Sequence, residues 1–253
     1  MINLFRKIRK RLISESKIGQ FLIYSIGEIF LVVIGILFAL GINNWNENRK
    51  LQKKEISTVE NIIEEVEFNN AVLKAINNTD SLSIINNKKL LKILKDENSQ
   101  YTDSMSYAFG YMLANKLFII RKIIYENLKS NDFNVIRSDS IRTKLSFYYD
   151  GIYSYLENQQ NQSKRYARNT FIVSIYKNFE QISLGRLVPN NYNKLKNDRD
   201  FKNAFSFYTH TVEASYNQNI SYYVYLESFK QELDQYLSEL KIREKNQHLF
   251  SWQ

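Results

Sequence analysis

The sequence predicts an all-α protein, an N-terminal transmembrane helix that continues into an exported antiparallel bundle of long helices. Three observations predict it. Residues 21–42, FLIYSIGEIFLVVIGILFALGI, run for 22 positions with one charge, Glu28, enough to cross the roughly 30 Å of a bilayer's hydrocarbon. Past residue 50 the turn-formers are only Gly110, Gly151, Gly185 and Pro189, whereas strand-rich folds want a turn about every 8–12 residues. Apolar residues also recur three and four apart over long stretches, the period of one helix face.

The chain is expected to divide into a basic cytoplasmic tail (1–20), the span (21–42), an exported helical domain (43–243) and a C-terminal tail (244–253). The first 20 residues hold six Lys/Arg against one Glu, with Leu4, Phe5, Ile8 and Leu12 at helical spacing. That excess of positive charge orients the span with its N-terminus in the cytoplasm, because Arg49, Lys50, Lys53 and Lys54 on the far side are interleaved with Glu47 and Glu55. Tyr24 and Trp45 lie 21 residues apart, about 31 Å at 1.5 Å per residue, and read as interfacial anchors. Ala39-Leu40-Gly41 has the small residues of a signal-peptidase site, but the apolar run exceeds the roughly 7–15 residues of a signal core, so an anchor is expected.

From Ile42 the pattern continues through Trp45, Arg49, Gln52, Ile56, Val59, Ile63, Val66, Asn70 and Leu73, so the span and the first exported helix are expected to be one rod. Asn77-Asn78-Thr79-Asp80-Ser81 is expected to break it, with Asp80 or Ser81 capping a shorter helix to about Lys95. Residues 96–104 read as loop and Ile119–Lys129 as a helix ended by Ser130-Asn131-Asp132. Ser138-Asp139-Ser140 then caps a long helix whose seam is Ile141, Leu145, Tyr148, Ile152, Tyr155, Gln159, Gln162, Tyr166, Asn169, Val173 and Tyr176.

Gly185–Asn191 is the clearest turn, and the longest unbroken seam follows it. Phe201, Phe205, Tyr208, Val212, Ser215, Asn219, Tyr222, Leu226, Phe229, Leu233, Tyr236 and Leu240 alternate four and three, the spacing of a coiled-coil stripe. Folding the two long helices about residue 190 sets Ile141 against Leu240, Gln162 against Asn219 and Tyr166 against Ser215. Gln162, Ser215 and Asn219 then form a polar layer that fixes register.

The basic N-terminus, Tyr24-Ser25-Ile26-Gly27-Glu28-Ile29, Val32-Val33-Ile34-Gly35-Ile36 and Ile42-Asn43-Asn44-Trp45-Asn46-Glu47 together resemble an uncharacterised family of single-span membrane proteins common in bacteria of the Bacteroidetes type. Tyr125-Glu126-Asn127-Leu128-Lys129-Ser130 and Ile136-Arg137-Ser138-Asp139-Ser140-Ile141-Arg142 carry a second part of the likeness, and the blocks cover about a third of the chain. The resemblance implies an inner-membrane anchor and a helical exported domain, and no activity.

The net charge of +9 separates into +5 over residues 1–50 and +4 over the rest, so the exported part is mixed-sign surface and not a nucleic-acid stripe. Absent cysteine excludes disulfides, thiolate metal sites and a Cys nucleophile. His210 and His248 do not form a His-Glu-x-x-His motif, and His210 with Glu213 reverses the order of a di-iron ligand pair. Glu60, Glu64 and Glu67 read as a solvated charged face among lysines, and the tyrosine stripes as core. No phosphate loop or nucleophile elbow is visible. No cofactor, metal or enzymatic role is therefore expected.

Glu28 is the residue whose chemistry needs a reason, since a carboxylate within a span costs about 2.5–3.5 kcal/mol. It shares a helix face with Gly35 and Ala39, a small-x-x-x-small pair that lets another helix approach closely. The expected role is a non-enzymatic, membrane-anchored interaction or scaffold protein of the inner membrane with its C-terminal domain in the periplasm. Its expected partners are the bilayer and a second copy or another membrane protein. The alternative is a periplasmic sensor or small-ligand-binding module, using the polar layer and signalling through a membrane partner.

Overall fold

Residues 18–114, 116–183 and 185–249 are described in the computed structural model of the chain, which divides into two units, Met1–Lys54 and Glu55–Gln253. The amphipathic helix expected over the first residues, the side chain of Tyr24 and the last four residues lie outside the described ones. Helices predominate, so the all-α expectation holds. Strand structure among the described residues is limited to one short hairpin.

Helix α1, Ile18–Lys95, has no break at Asn77–Ser81. The polar run expected to end it is interior instead: Asn77 and Asp80 are buried, so their side chains serve the core and not a cap. In the first unit the apolar side chains of α1 face outward. Ile29, Phe30 and Leu37 are more than 60 % exposed. In the second unit the stripe Ile56, Val59, Ile63, Val66, Asn70 and Leu73 is buried as its spacing predicts.

After α1 come α2 (Ser104–Gly110) with a 3-10 turn (Tyr111–Leu113), an irregular segment over 116–122, and α3 (Ile123–Asn131). Helix α3 begins later than the expected Ile119 because polar side chains from other elements hold the preceding backbone. Asn69 accepts from the Arg121 N–H and donates to its carbonyl, both at 2.8 Å, while Glu65 accepts the N–H groups of Ile124 and Tyr125 at 2.9 and 3.3 Å. Glu65 thus sits at a helix N-terminus, where orphan amides and the helix dipole favour an anion.

A 3-10 turn (Phe133–Val135) leads to α4 (Asp139–Ser146), whose N-cap Ser138 accepts the Ile141 N–H at 3.4 Å, as expected of Ser138-Asp139-Ser140. The chain then winds through two π-helical turns, Phe147–Tyr153 and Leu156–Gln160, before α5 (Asn161–Asn178). Strands β1 (Phe179–Ser183) and β2 (Arg186–Pro189) pair antiparallel around Gly185, whose φ of +80° suits glycine. The hairpin presses on α2 so closely that a Cβ on Gly110 would come within 1.8 Å of the Gly185 carbonyl oxygen. Helices α6 (Tyr192–Asn197), capped by Asn191, and α7 (Arg199–Leu249) follow, and α7 runs on into the stretch expected as a tail.

Every apolar position of the expected α7 seam is buried or half-buried. The seam before it is not reproduced. Ile141, Leu145, Tyr148 and Ile152 are buried, but Tyr166, Val173 and Tyr176 are 69, 66 and 77 % exposed. Their places are taken by Ala167, Phe171 and Ile175. A π turn carries one residue more than the α turn it replaces, and two of them carry the buried face forward by about two positions. Facing pairs are Tyr148–Phe229 (4.0 Å), Tyr155–Tyr222 (5.8 Å) and Phe171–Phe205 (5.2 Å), so the antiparallel hairpin exists with its pairing about one helical turn away from Ile141–Leu240.

Candidate functional site: a buried polar layer

The core of the second unit is two apolar clusters. One joins α1 from Ile56 to Ile76, the segment from Phe118 to Leu156, and α7 from Leu226 to Leu240. The other joins α1 from Ile84 to Leu94, α2, α5 from Ala167 onward, and α7 from Phe201 to Val212. Between them lie 77–83, 157–166 and 213–225, where every buried residue among the described ones is polar. These are Asn77, Asp80 and Ser83 from α1, then Gln160, Asn161 and Lys164, and Ser215 and Asn219 from α7. The ring pairs Tyr155–Tyr222 and Phe171–Tyr208 (5.4 Å) bracket this level on the hairpin.

At its centre Lys164 Nζ donates to Asp80 Oδ2 at 2.5 Å, with both side chains at most 2 % exposed. Burial pushes the Asp80 carboxyl above its ordinary range, against the opposing charge and hydrogen bond of Lys164. Such a pair adds little net stability over well-packed apolar residues, yet breaking it leaves a buried charge that costs about 3–5 kcal/mol. Asn161 does a different job. It accepts from the Phe118 N–H at 3.1 Å and donates to the Phe118 carbonyl at 2.7 Å, clasping the irregular segment as Asn69 does three residues later.

Five side-chain atoms of the layer, Asn77 Oδ1, Asp80 Oδ1, Ser83 Oγ, Gln160 Nε2 and Asn219 Oδ1, are buried with no hydrogen-bond partner within the protein. Each such atom costs about 1–3 kcal/mol, so native proteins satisfy them with ordered water or bound polar molecules. A groove of about 320 Å³ opens beside the layer and shares Gln160 and Ser215 with it. Tyr155, Phe207, His210, Thr211 and Gln218 line it too, with no Asp, Glu, Lys or Arg among the described residues.

Ser215 and Asn219 are buried as expected, at 5 and 1 % exposure. Gln162 is exposed, which corrects its place in the expected layer: the π turns rotate it outward and bring Gln160, Asn161 and Lys164 inward. The unexpected members are Asp80, Lys164, Asn77 and Ser83. For Asn77 and Asp80 the signal lay in the sequence as part of a polar run in α1, read there as a helix end, whereas Lys164 on α5 and Ser83 gave none. Glu60 and Glu67 are surface residues paired with Lys241 (2.7 Å) and Lys230 (3.0 Å), and Glu64 is exposed, as a solvated face requires. No group of three or more metal-ligating side chains is found among the described residues.

In the first unit, Glu28, Gly35 and Ala39 are exposed on α1, and open space surrounds Gly35. Trp45 is 44 % exposed with the Arg49 guanidinium 5.8 Å from its ring centre. Beside Gly41 the open surface of this helix is bordered by Leu37, Phe38 and Trp45. By length and composition α1 carries the one window among the described residues suited to crossing a membrane, and none of that window is covered by the rest of the chain.

Comparison with protein-family models, curated proteins and solved structures finds no match to this chain.

Proposed function

We propose that the chain is a non-enzymatic interaction protein anchored in a bacterial inner membrane by one span. Its N-terminus is cytoplasmic and its helical domain periplasmic, a reading supported by the six Lys/Arg that precede the span. The observation that carries the reading is the contrast along α1. From Ile26 to Ile42 the apolar side chains are uncovered, while from Ile56 the stripe is buried. In water each uncovered large apolar side chain forgoes about 1.5–3 kcal/mol, so lipid or another helix must cover them. Glu28, Gly35 and Ala39 supply the face on which a second copy or another membrane protein docks, Gly35 and Ala39 for close approach and Glu28 for a hydrogen bond inside the membrane.

Cross-linking of the full chain in membranes tests this. Wild type is expected to give a dimer or a discrete hetero-complex, and Glu28→Gln or Gly35→Leu to reduce it several-fold. Unchanged products in both variants remove the role of this face. A phosphatase fused to the C-terminus is expected to be active, and inactivity reverses the orientation.

A second reading, a small-ligand-binding module signalling through a membrane partner, is favoured by the five unpartnered polar atoms of the layer.

A further inference from the structure

The groove beside the polar layer has a composition that selects a ligand class. Its side walls include two aromatic rings, Tyr155 and the half-exposed Phe207, and its polar groups are amides and hydroxyls, Gln160, Gln218 and Thr211 among them. Among the described residues no carboxylate, ammonium or guanidinium lines it, and the one titratable cation-former there is the His210 imidazole, so the lining is built mainly for neutral groups. Aromatic faces take up the apolar faces of a ring, while neutral donors and acceptors around them match hydroxyls.

Three details sharpen this. His210 Nδ1 sits 2.7 Å from the Ser206 carbonyl, to which it can only donate, so in the neutral ring Nε2 is left as an acceptor. Thr211 Oγ1 spends its proton on the Phe207 carbonyl at 3.0 Å and keeps acceptor capacity. Gln160, 5 % exposed, brings an amide Nε2 with no partner in the protein to the boundary between groove and layer. Gln160 is also the last residue of the second π turn, and π turns inside helices occur often at functional sites.

We infer that this groove binds an uncharged saccharide, with Tyr155 and Phe207 flanking the sugar ring and Gln160, Gln218, Thr211 and His210 meeting its hydroxyls. A volume of about 320 Å³ seats one or two sugar rings, at the small end of ligand sites, so a three-ring oligomer would rest its remaining ring outside the groove. The inference rests on the second reading above and names its ligand class.

The test is calorimetric titration of the full chain, in a detergent without a sugar headgroup, with tri-N-acetylchitotriose. Its deacetylated form, which carries three ammonium groups, serves as the charged counterpart. The neutral trimer is expected to bind one per chain, and Phe207→Ala and Gln218→Ala each to weaken it about tenfold with unchanged melting temperature, since both side chains are exposed. Equal binding of the charged trimer, or full affinity in Phe207→Ala, overturns the inference. So does binding of a proline-rich peptide in place of the sugar. If a charged small molecule binds and neutral sugars do not, the saccharide class falls and the binding-module reading stands. If nothing binds, both fall.

Discussion

Helix α7 and the helical stretch from Asp139 to Asn178 face each other, and the same three-four spacing reads correctly on one and slips on the other. In α7 the phase set by Phe201 holds through Leu240, 39 residues later. In its partner the phase set by Ile141 holds to Ile152, then moves by about two residues across the π turns. A hydrophobic period reports the helix face only while the residues per turn stay constant, and each π turn adds a residue that the pattern cannot register in advance. The slip turned Tyr166, Val173 and Tyr176 outward and carried Lys164 into the core.

Single substitutions test what that slip brings inside. Asp80→Asn or Lys164→Met alone should lower stability by about 3–5 kcal/mol in urea unfolding, since either leaves a buried group unmatched. The pair Asp80→Leu/Lys164→Met should recover most of that loss or exceed wild type. If the double variant is as damaged as the singles, the pair is more than a register device. Core truncation on the shared face, Phe171→Ala or Phe205→Ala, should cost about 3–5 kcal/mol each and less than the sum together, because the rings stack at 5.2 Å.

A deletion separates the two helices directly. Removing exposed Asn158 from the second π turn takes out its extra residue and should move the melting temperature by only a few degrees, roughly 1 kcal/mol. Removing exposed Ala214 from α7 rotates everything beyond it by about 100° and should abolish cooperative melting. At the small end, Gln162→Ala should stay within about 0.5 kcal/mol, while Asn161→Ala should cost about 2 kcal/mol by orphaning both main-chain groups of buried Phe118.

Acidity gives one more handle on the layer. The Asp80 carboxyl lies above its ordinary 3.8 when folded, so the native state holds that proton more tightly than the unfolded chain. Its contribution is therefore greatest below that value and is lost as pH rises through the folded pKa. The stability difference between wild type and Asp80→Asn should change in that direction across mildly acidic pH, measured by urea midpoints.

Much of this fold was legible because helix, cap and seam are local. Sparse glycine and proline, Ser138 before Ile141 and the α7 stripe each depend on near neighbours in sequence. What was not legible depends on partners far away. Asn77-Asn78-Thr79-Asp80-Ser81 reads as a break unless Lys164 is known to meet Asp80 across the bundle. Ile119–Lys122 reads as helix unless Asn69 is known to take up the Arg121 main chain. In hindsight the slip had a trace: on the expected seam Gln159, Gln162 and Asn169 are polar, while Leu156, Ala167, Phe171 and Ile175 lie beside it. For the site, Ser215 and Asn219 were in reach and the groove was not, because its walls come from two helices whose relative rotation the π turns set.

The clasped segment 116–122 carries a consequence for how the molecule breathes. Its Phe118 and Arg121 amides belong to no helix or strand, yet each donates to a buried asparagine, one on α5 and one on α1. Neither bond can open by fraying from a helix end. Solvent deuterium should reach those two amides only when the segment lifts away from Asn69 on α1 and Asn161 on α5, so an irregular stretch should exchange more slowly than an ordinary loop. By the same token the segment cannot settle until both helices have arrived, which makes it a late fastening in folding and a reporter of the whole bundle's integrity.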